Sequence, residues 1–382
     1  VGAYEGEGAV DALTSGGQTV VLRGANFGPV DGAAVTAQYG QEDIGNEFLA
    51  LNCQVTFSHE RIVCTTNQGA GEALAWEVVV DDLLSTGELT YYAAPRIDAF
   101  GGAAVSTGDG YMNPDGAETI VLTGANFGPA VPPHGYTYLE SVLFGPAGST
   151  TAFEATGCTV VDHDTLSCVT PPGVGGPLYW STIVKGQSSS LSAATTSYTP
   201  PTLSSASTTT ASSSGGDLIR LTGRGFGLCD PNAKVRVLFD SASLPVLATY
   251  DGNGVAVDPA VDCPIATEDR QIEFAVPEMT TTSSATLSFR ITSTQLTTAL
   301  TSNGTVAFNY DPPFIDSIFA EPGNVVDSVL VTITGENFCA SEACCTTFVD
   351  GLSATSLVTS HSHTRIVVQA SSAGSISVVV QA

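Results

Sequence analysis

The chain has 382 residues, 43% hydrophobic and only 13% charged, with 38 acidic against 11 basic side chains and a formal charge of −27. Such a surface repels phosphate backbones and anionic lipid, which counts against nucleic acid as a partner. No apolar run approaches the roughly 18 residues that cross a bilayer as a helix. Nothing near Val1 resembles a signal peptide or an initiator Met, as expected of a processed chain or a segment of a longer one.

The first recognisable phrase is "VVLRGANFGPV", Val20–Val30, an apolar strand running into a glycine-rich turn. It returns as "IVLTGANFGPA" (Ile120–Ala130), "IRLTGRGFGLC" (Ile219–Cys229) and "VTITGENFCA" (Val331–Ala340). The anchor glycines Gly24, Gly124, Gly223 and Gly335 lie 100, 99 and 112 residues apart, too far for a solenoid and about the size of one small domain. In each copy the first glycine reads as a left-handed residue that reverses the strand, and the Asn that follows two residues later, replaced by Gly225 in the third copy, as a partner for nearby backbone. Phe27, Phe127, Phe226 and Phe338 read as inward core plugs. No Lys-Ser/Thr follows and no helix begins there, so the turn is a folding device and not a phosphate cradle.

Downstream in the first copy, "LNCQVTFSHERIVCTT" predicts a hairpin turning at Ser58–His59, with Val55 opposite Ile62 and Cys53 directly opposite Cys64. A late strand, "WEVVVD", follows, and a tyrosine-bearing strand ends at "YYAAPRID". The second copy repeats the plan, with Cys158 opposite Cys168 across a loop Asp162–Asp164, a late strand after Trp180, and an end at "SYTPPTL". Opposed residues of an antiparallel pair are close enough for a disulfide, so the duplicated spacing predicts two bridges and an oxidising compartment. The third copy keeps Cys263 but has no cysteine in "RQIEFAV", which leaves Cys229 as the partner; it ends at "NYDPPFID". The fourth clusters Cys339, Cys344 and Cys345, with Val368 where Cys64 would fall, and nine cysteines cannot all pair within one chain.

Short apolar or alternating runs separated by Gly, Pro, Asn, Asp and Ser clusters predict strands throughout. The fold expected is all-β: four tandem β-sandwich domains at 1–93, 94–199, 200–311 and 312–382, joined by short proline connectors into a semi-rigid rod. The fourth copy stops at "SISVVVQA" without the last strand of the others. Either the polypeptide continues beyond Ala382, or a neighbouring subunit supplies the strand. Val1–Gly6 is then a candidate donor, although its own repeat has a use for it as a first strand.

The turn "LTGANFG", the downstream "CTVVDHDTLSCVTPPGVGG" and the closing "SYTPP" resemble the IPT/TIG domain, the immunoglobulin-like module of plexins and many microbial surface proteins. The resemblance covers nearly the whole chain as four copies and is weakest in the fourth, whose turn ends in Cys339. It implies an antiparallel sandwich of about seven strands per copy. Rel-type transcription factors use a related module on DNA, with basic loops that this chain lacks.

Chemistry has little to stand on. The histidines are His59, His134, His163, His361 and His363; no nucleophile elbow and no zinc motif accompanies them. His361 and His363 would share one strand face as a weak metal pair. No cofactor is expected, with calcium the one ion worth testing. "YDGNGVAVDPAVD" offers Asp251, Asn253, Asp258 and Asp262, and "TGDGYMNPDGAE" offers Asp109, Asn113, Asp115 and Glu118, although Asp-Gly and Asn-Gly also form ordinary turns. Asn303-Gly304-Thr305 is a glycosylation sequon, Asn337-Phe338-Cys339 a poor variant, and the Ser/Thr runs are O-glycan candidates. Trp76 and Trp180, at equivalent places, read as packing residues. The leading functional expectation is a non-enzymatic extracellular or cell-surface structural protein, adhesive or self-associating into a filament. The alternatives are a receptor ectodomain fragment binding a protein ligand, or an accessory carbohydrate-binding region of a secreted enzyme.

Overall fold

Period-two burial makes the strands. Thr19–Arg23 buries Val20 and Leu22 completely while Thr19 and Arg23 face solvent, and Leu74–Val80 buries every second residue. A pattern of that period is satisfied only by a sheet with one face on a core. In the computed structural model no described residue is α-helical, and each sheet draws its strands from a single repeat. The structure describes the chain except residues 1, 33, 42–46, 106–109, 133–134, 136, 227–233, 240–241, 252–253, 257–269, 281–286, 296–297, 303, 324–327, 342, 350–351, 354–356, 372–377 and 382.

The chain divides into two compact units, Val1–Thr199 with Thr294–Ala299, and Pro200–Ser293 with Leu300–Ala382. In the first unit, the first repeat has a four-stranded sheet in the order Ala3–Glu5, Thr19–Arg23, Arg61–Thr65, Leu51–Phe57. Its second sheet runs Phe48–Leu49, Val35–Gly40, Leu74–Val80, Leu83–Thr90. Tyr4 of one sheet meets Trp76 of the other at 5.6 Å, and Trp76 stacks on Tyr39 at 4.4 Å. The second repeat has the same two sheets, with Phe100 against Trp180 at 5.3 Å and Trp180 on Phe144 at 4.0 Å. Each tryptophan is fully buried and gives its indole N–H to a threonine hydroxyl, Thr90 or Thr196. These are core residues.

In the second unit, one core cluster joins Ile219, Leu221, Ile272 and Phe274 of one sheet to Val237, Phe239 and Phe308 of the other. Another joins Val331, Ile333, Ile366 and Val368 to Val349, with Val378 and Val380 packed against it. Pairs of sheets packed face to face on shared apolar cores are tandem immunoglobulin-like β-sandwiches. The tyrosines that end the first three repeats close those cores in one way. Tyr92, Tyr198 and Tyr310 donate to the carbonyls of Asn67, Pro171 and Pro277 at 2.7, 2.8 and 2.7 Å.

One sequence expectation needs correction. The anchor glycines are not left-handed; the positive φ falls two residues later, at Asn26 (64°), Asn126 (63°), Gly225 (68°) and Asn337 (59°). Nor do the anchors reverse the chain, since Thr119–Ala125 runs through Gly124 and Ser328–Glu336 through Gly335. Glycine is required there for space. A Cβ at Gly124 would lie 1.8 Å from the Arg96 carbonyl oxygen and 2.9 Å from the ring of Phe127. Phe27, Phe127, Phe226 and Phe338 are buried, each folded back under its anchor glycine. Ala3–Glu5 pairs antiparallel with Thr19–Arg23, the first-strand use that its own repeat was expected to have for this segment.

Candidate functional site

Cys53 is bonded to Cys64 and Cys158 to Cys168, with Cα separations of 4.1 and 4.0 Å. Direct opposition is not how they meet. A bulge between Leu51 and Gln54, and another between Thr156 and Thr159, sets two residues against each partner cysteine; left-handed Asn52 and Gly157 absorb the extra length. The turns also differ from expectation, since Phe57 pairs with Arg61 around a three-residue turn while Asp162 pairs with Thr165 around two residues. Cys339 is bonded to Cys344, and Cys345 is free and buried. Cys229 and Cys263 lie outside the described residues. Burial pushes the Cys345 thiol up to about 11, so it stays protonated at ordinary pH. Iodoacetamide at pH 8 is therefore expected to leave the Cys345 peptide unlabelled in the native chain and to label it after denaturation, as read by peptide mass.

The histidines do not assemble. His361 lies on the strand Val358–Ser362 and sets Nε2 2.9 Å from the Phe338 carbonyl oxygen, whereas His363 lies in the following turn with Nε2 2.7 Å from Glu278. The two do not share a metal-binding face, and no cluster of metal-ligating side chains occurs among the described residues. Burial holds His163 below the ordinary histidine range, against the opposing pull of Asp164 and Asp162. Of the calcium candidates, Asp251 accepts from Val255 N–H at 2.8 Å, Asn113 from Asp115 N–H at 3.1 Å, and Glu118 from Asn113 N–H at 3.0 Å. These are turn-closing bonds. Asp109, Asn253, Asp258, Asp262, His134 and the sequon residue Asn303 lie outside the described residues.

A buried polar feature lies where the first two repeats meet, inside the first unit. The chain has two lysines, and one of them, Lys185, is 8% exposed. It sits in the two-residue turn Lys185–Gly186, both left-handed, that joins Tyr179–Val184 to Gln187–Ser188. That backbone is the primed turn favoured in tight hairpins. The ammonium is ion-paired with Glu47, itself buried, and lies 5.3 Å from the centre of the Phe48 ring and 4.7 Å from that of Tyr138. Its stem crosses Gly71, where a Cβ would stand 2.9 Å from Lys185 Cδ. Beside it the Gln187 amide bridges two backbone groups of the first repeat, donating to Tyr92 O at 2.8 Å and accepting from Gly71 N–H at 3.2 Å. Sequence reasoning passed over Glu47, Lys185 and Gln187. The scarcity of lysine in so acidic a chain, and the Lys-Gly turn, were the signals available.

The class of protein defined here is a tandem immunoglobulin-like β-sandwich chain, the architecture that the IPT/TIG resemblance implies. No family model matches the chain, and no curated protein does. Among solved structures it is similar to the plexin A4 extracellular region, at 12% identity over 96% of this chain and 34% of that one, with a TM-score of 0.23. Invasin, a bacterial integrin-binding protein, aligns at 14% identity over 96% of this chain and 73% of its own, with a TM-score of 0.25. The ICAM-5 D1–D4 ectodomain fragment aligns at 10% identity over 99% and 97%, with a TM-score of 0.22. The chain thus spans 34% of the plexin region it matches. Likeness at this level carries no information about activity or partners.

Proposed function

We propose that this chain is a non-enzymatic structural protein of the cell exterior, an adhesive protein or filament subunit whose work is to hold its shape. The observation that carries the reading is the buried lock between the first two repeats. Its buried charges and its bridging amide join repeat to repeat instead of converging on a cleft. Cross-linked hairpins support an oxidising compartment.

Self-association has its own support. Phe314–Pro322 is a nine-residue strand at a sheet edge, with Phe314, Ile318 and Phe319 exposed at 63%, 48% and 63%. Long apolar edges of this kind pair with other chains unless they are covered. Glycans at Asn303 and on the Ser/Thr runs complete the proposed surface, and the reading needs no cofactor. The test is electron microscopy of native material together with sedimentation of the purified chain. A regular axial repeat in the native material and concentration-dependent assembly of the chain are expected. A strictly monomeric chain, and native material without any repeat, would overturn the filament reading.

A further inference from the structure

The Asn of the recurring turn reaches outside its own repeat. In the first unit, Asn126 Oδ1 accepts from the backbone N–H of Thr14 in the preceding repeat at 3.4 Å, and His163 Nδ1 lies 2.9 Å from the Thr14 hydroxyl. In the second unit, Asn337 Oδ1 accepts from Ser213 N–H at 3.2 Å, and His363 Nδ1 lies 3.2 Å from the Ser213 hydroxyl. Thr14 and Ser213 begin the same turn, Thr-Ser-Gly-Gly and Ser-Ser-Gly-Gly. Asn and His are brought together in the same way both times: Phe127 N–H donates to His163 O at 2.8 Å, and Phe338 N–H to His363 O at 3.0 Å. In the second unit the His ring has a further partner on its other nitrogen. Nε2 of His363 lies 2.7 Å from the Glu278 carboxylate, and the Ser213 hydroxyl that meets Nδ1 also accepts from Cys339 N–H at 3.2 Å.

We infer that Asn and His form a two-pronged docking face that reads the hydroxyl and amide of a Ser/Thr-led Gly-Gly turn on the preceding repeat. The face and the turn are two halves of one clasp. Where the second repeat is followed by the third, both halves are missing from the sequence: Pro114 stands in the hydroxyl position and Gly225 in the Asn position. Proline has neither the amide proton nor the hydroxyl, and glycine has no acceptor. Paired loss is what a two-part recognition device predicts, and it is hard to reconcile with Asn serving its own turn alone. The first repeat carries a copy of the face that no other repeat contacts among the described residues. Phe27 N–H donates to His59 O at 3.3 Å, while the Asn26 and His59 side chains are exposed.

Asn126→Gly and Asn337→Gly, made in the full chain, test this, because glycine keeps the left-handed turn and is what the third repeat already has. Hydrogen exchange is expected to quicken at Thr14 for the first and at Ser213 for the second. The change should be roughly 3- to 10-fold, the equivalent of one ordinary hydrogen bond. Asn26→Gly is the control and should change no other repeat. Unaltered exchange at Thr14 and Ser213 would overturn the inference. If Asn126→Gly also exposes the core strand around Leu122, Thr14→Val decides instead. It leaves the second repeat's turn intact, and the clasp requires faster exchange at the His163 hairpin tip. No change there sinks the proposal.

Discussion

Gly124→Ala is expected to destabilise the first unit by about 3 kcal/mol or more, at the top of the range for an overpacked core. The new methyl has nowhere to go. It points at the Arg96 carbonyl oxygen from 1.8 Å, and that oxygen belongs to the paired strand Arg96–Gly101. Gly223→Ala and Gly335→Ala face the same obstacle, with the carbonyl oxygens of Thr202 and Phe314 at 2.0 and 1.9 Å. Gly24→Ala is the informative exception. The atoms nearest its Cβ all belong to the Phe27 ring, the closest at 2.4 Å, and a ring can tilt where a strand cannot move. Thermal unfolding should therefore rank Gly24→Ala well above the other three. A loss of about 3 kcal/mol in a unit of this size corresponds to roughly 6–12 °C in Tm. Four equal shifts would show that glycine matters there for backbone freedom after all.

Lys185→Met should cost about 3–5 kcal/mol, because it strands the buried Glu47 carboxylate without its counter-charge. Methionine keeps much of the stem packed over Gly71 and places a β-carbon in the same left-handed turn, so the loss isolates the charge. The double variant Lys185→Met/Glu47→Leu is expected to recover most of that stability, since a buried ion pair can be replaced by apolar side chains at little net cost. Urea denaturation of the full chain, comparing the two single variants with the double, measures the coupling directly. Additive single losses would mean that the pair does not act as a unit.

How much of this was legible beforehand follows from how local each feature is. The all-β character came from alternation, as in Thr19–Arg23, because burial at every second residue is written into neighbouring positions. The cysteine pairs of the first two repeats were legible for a similar reason: each closes a hairpin spanning 11 or 10 residues. Even there the bulge went unseen, because an extra residue leaves the alternation on the partner strand unchanged. The recurring phrase was visible, but its first glycine was assigned the wrong task. A conformational requirement and a spatial one select the same residue.

Sequence alone therefore determined the strands, the repeat length, the hairpin bridges and the buried phenylalanines, all of which depend on residues close together in the chain. Only the tertiary structure decided that Asn126 serves Thr14 from 112 residues away and that Lys185 finds Glu47 from 138. Contacts between repeats have no period and no fixed spacing, so their partners become known only once two finished surfaces are brought together.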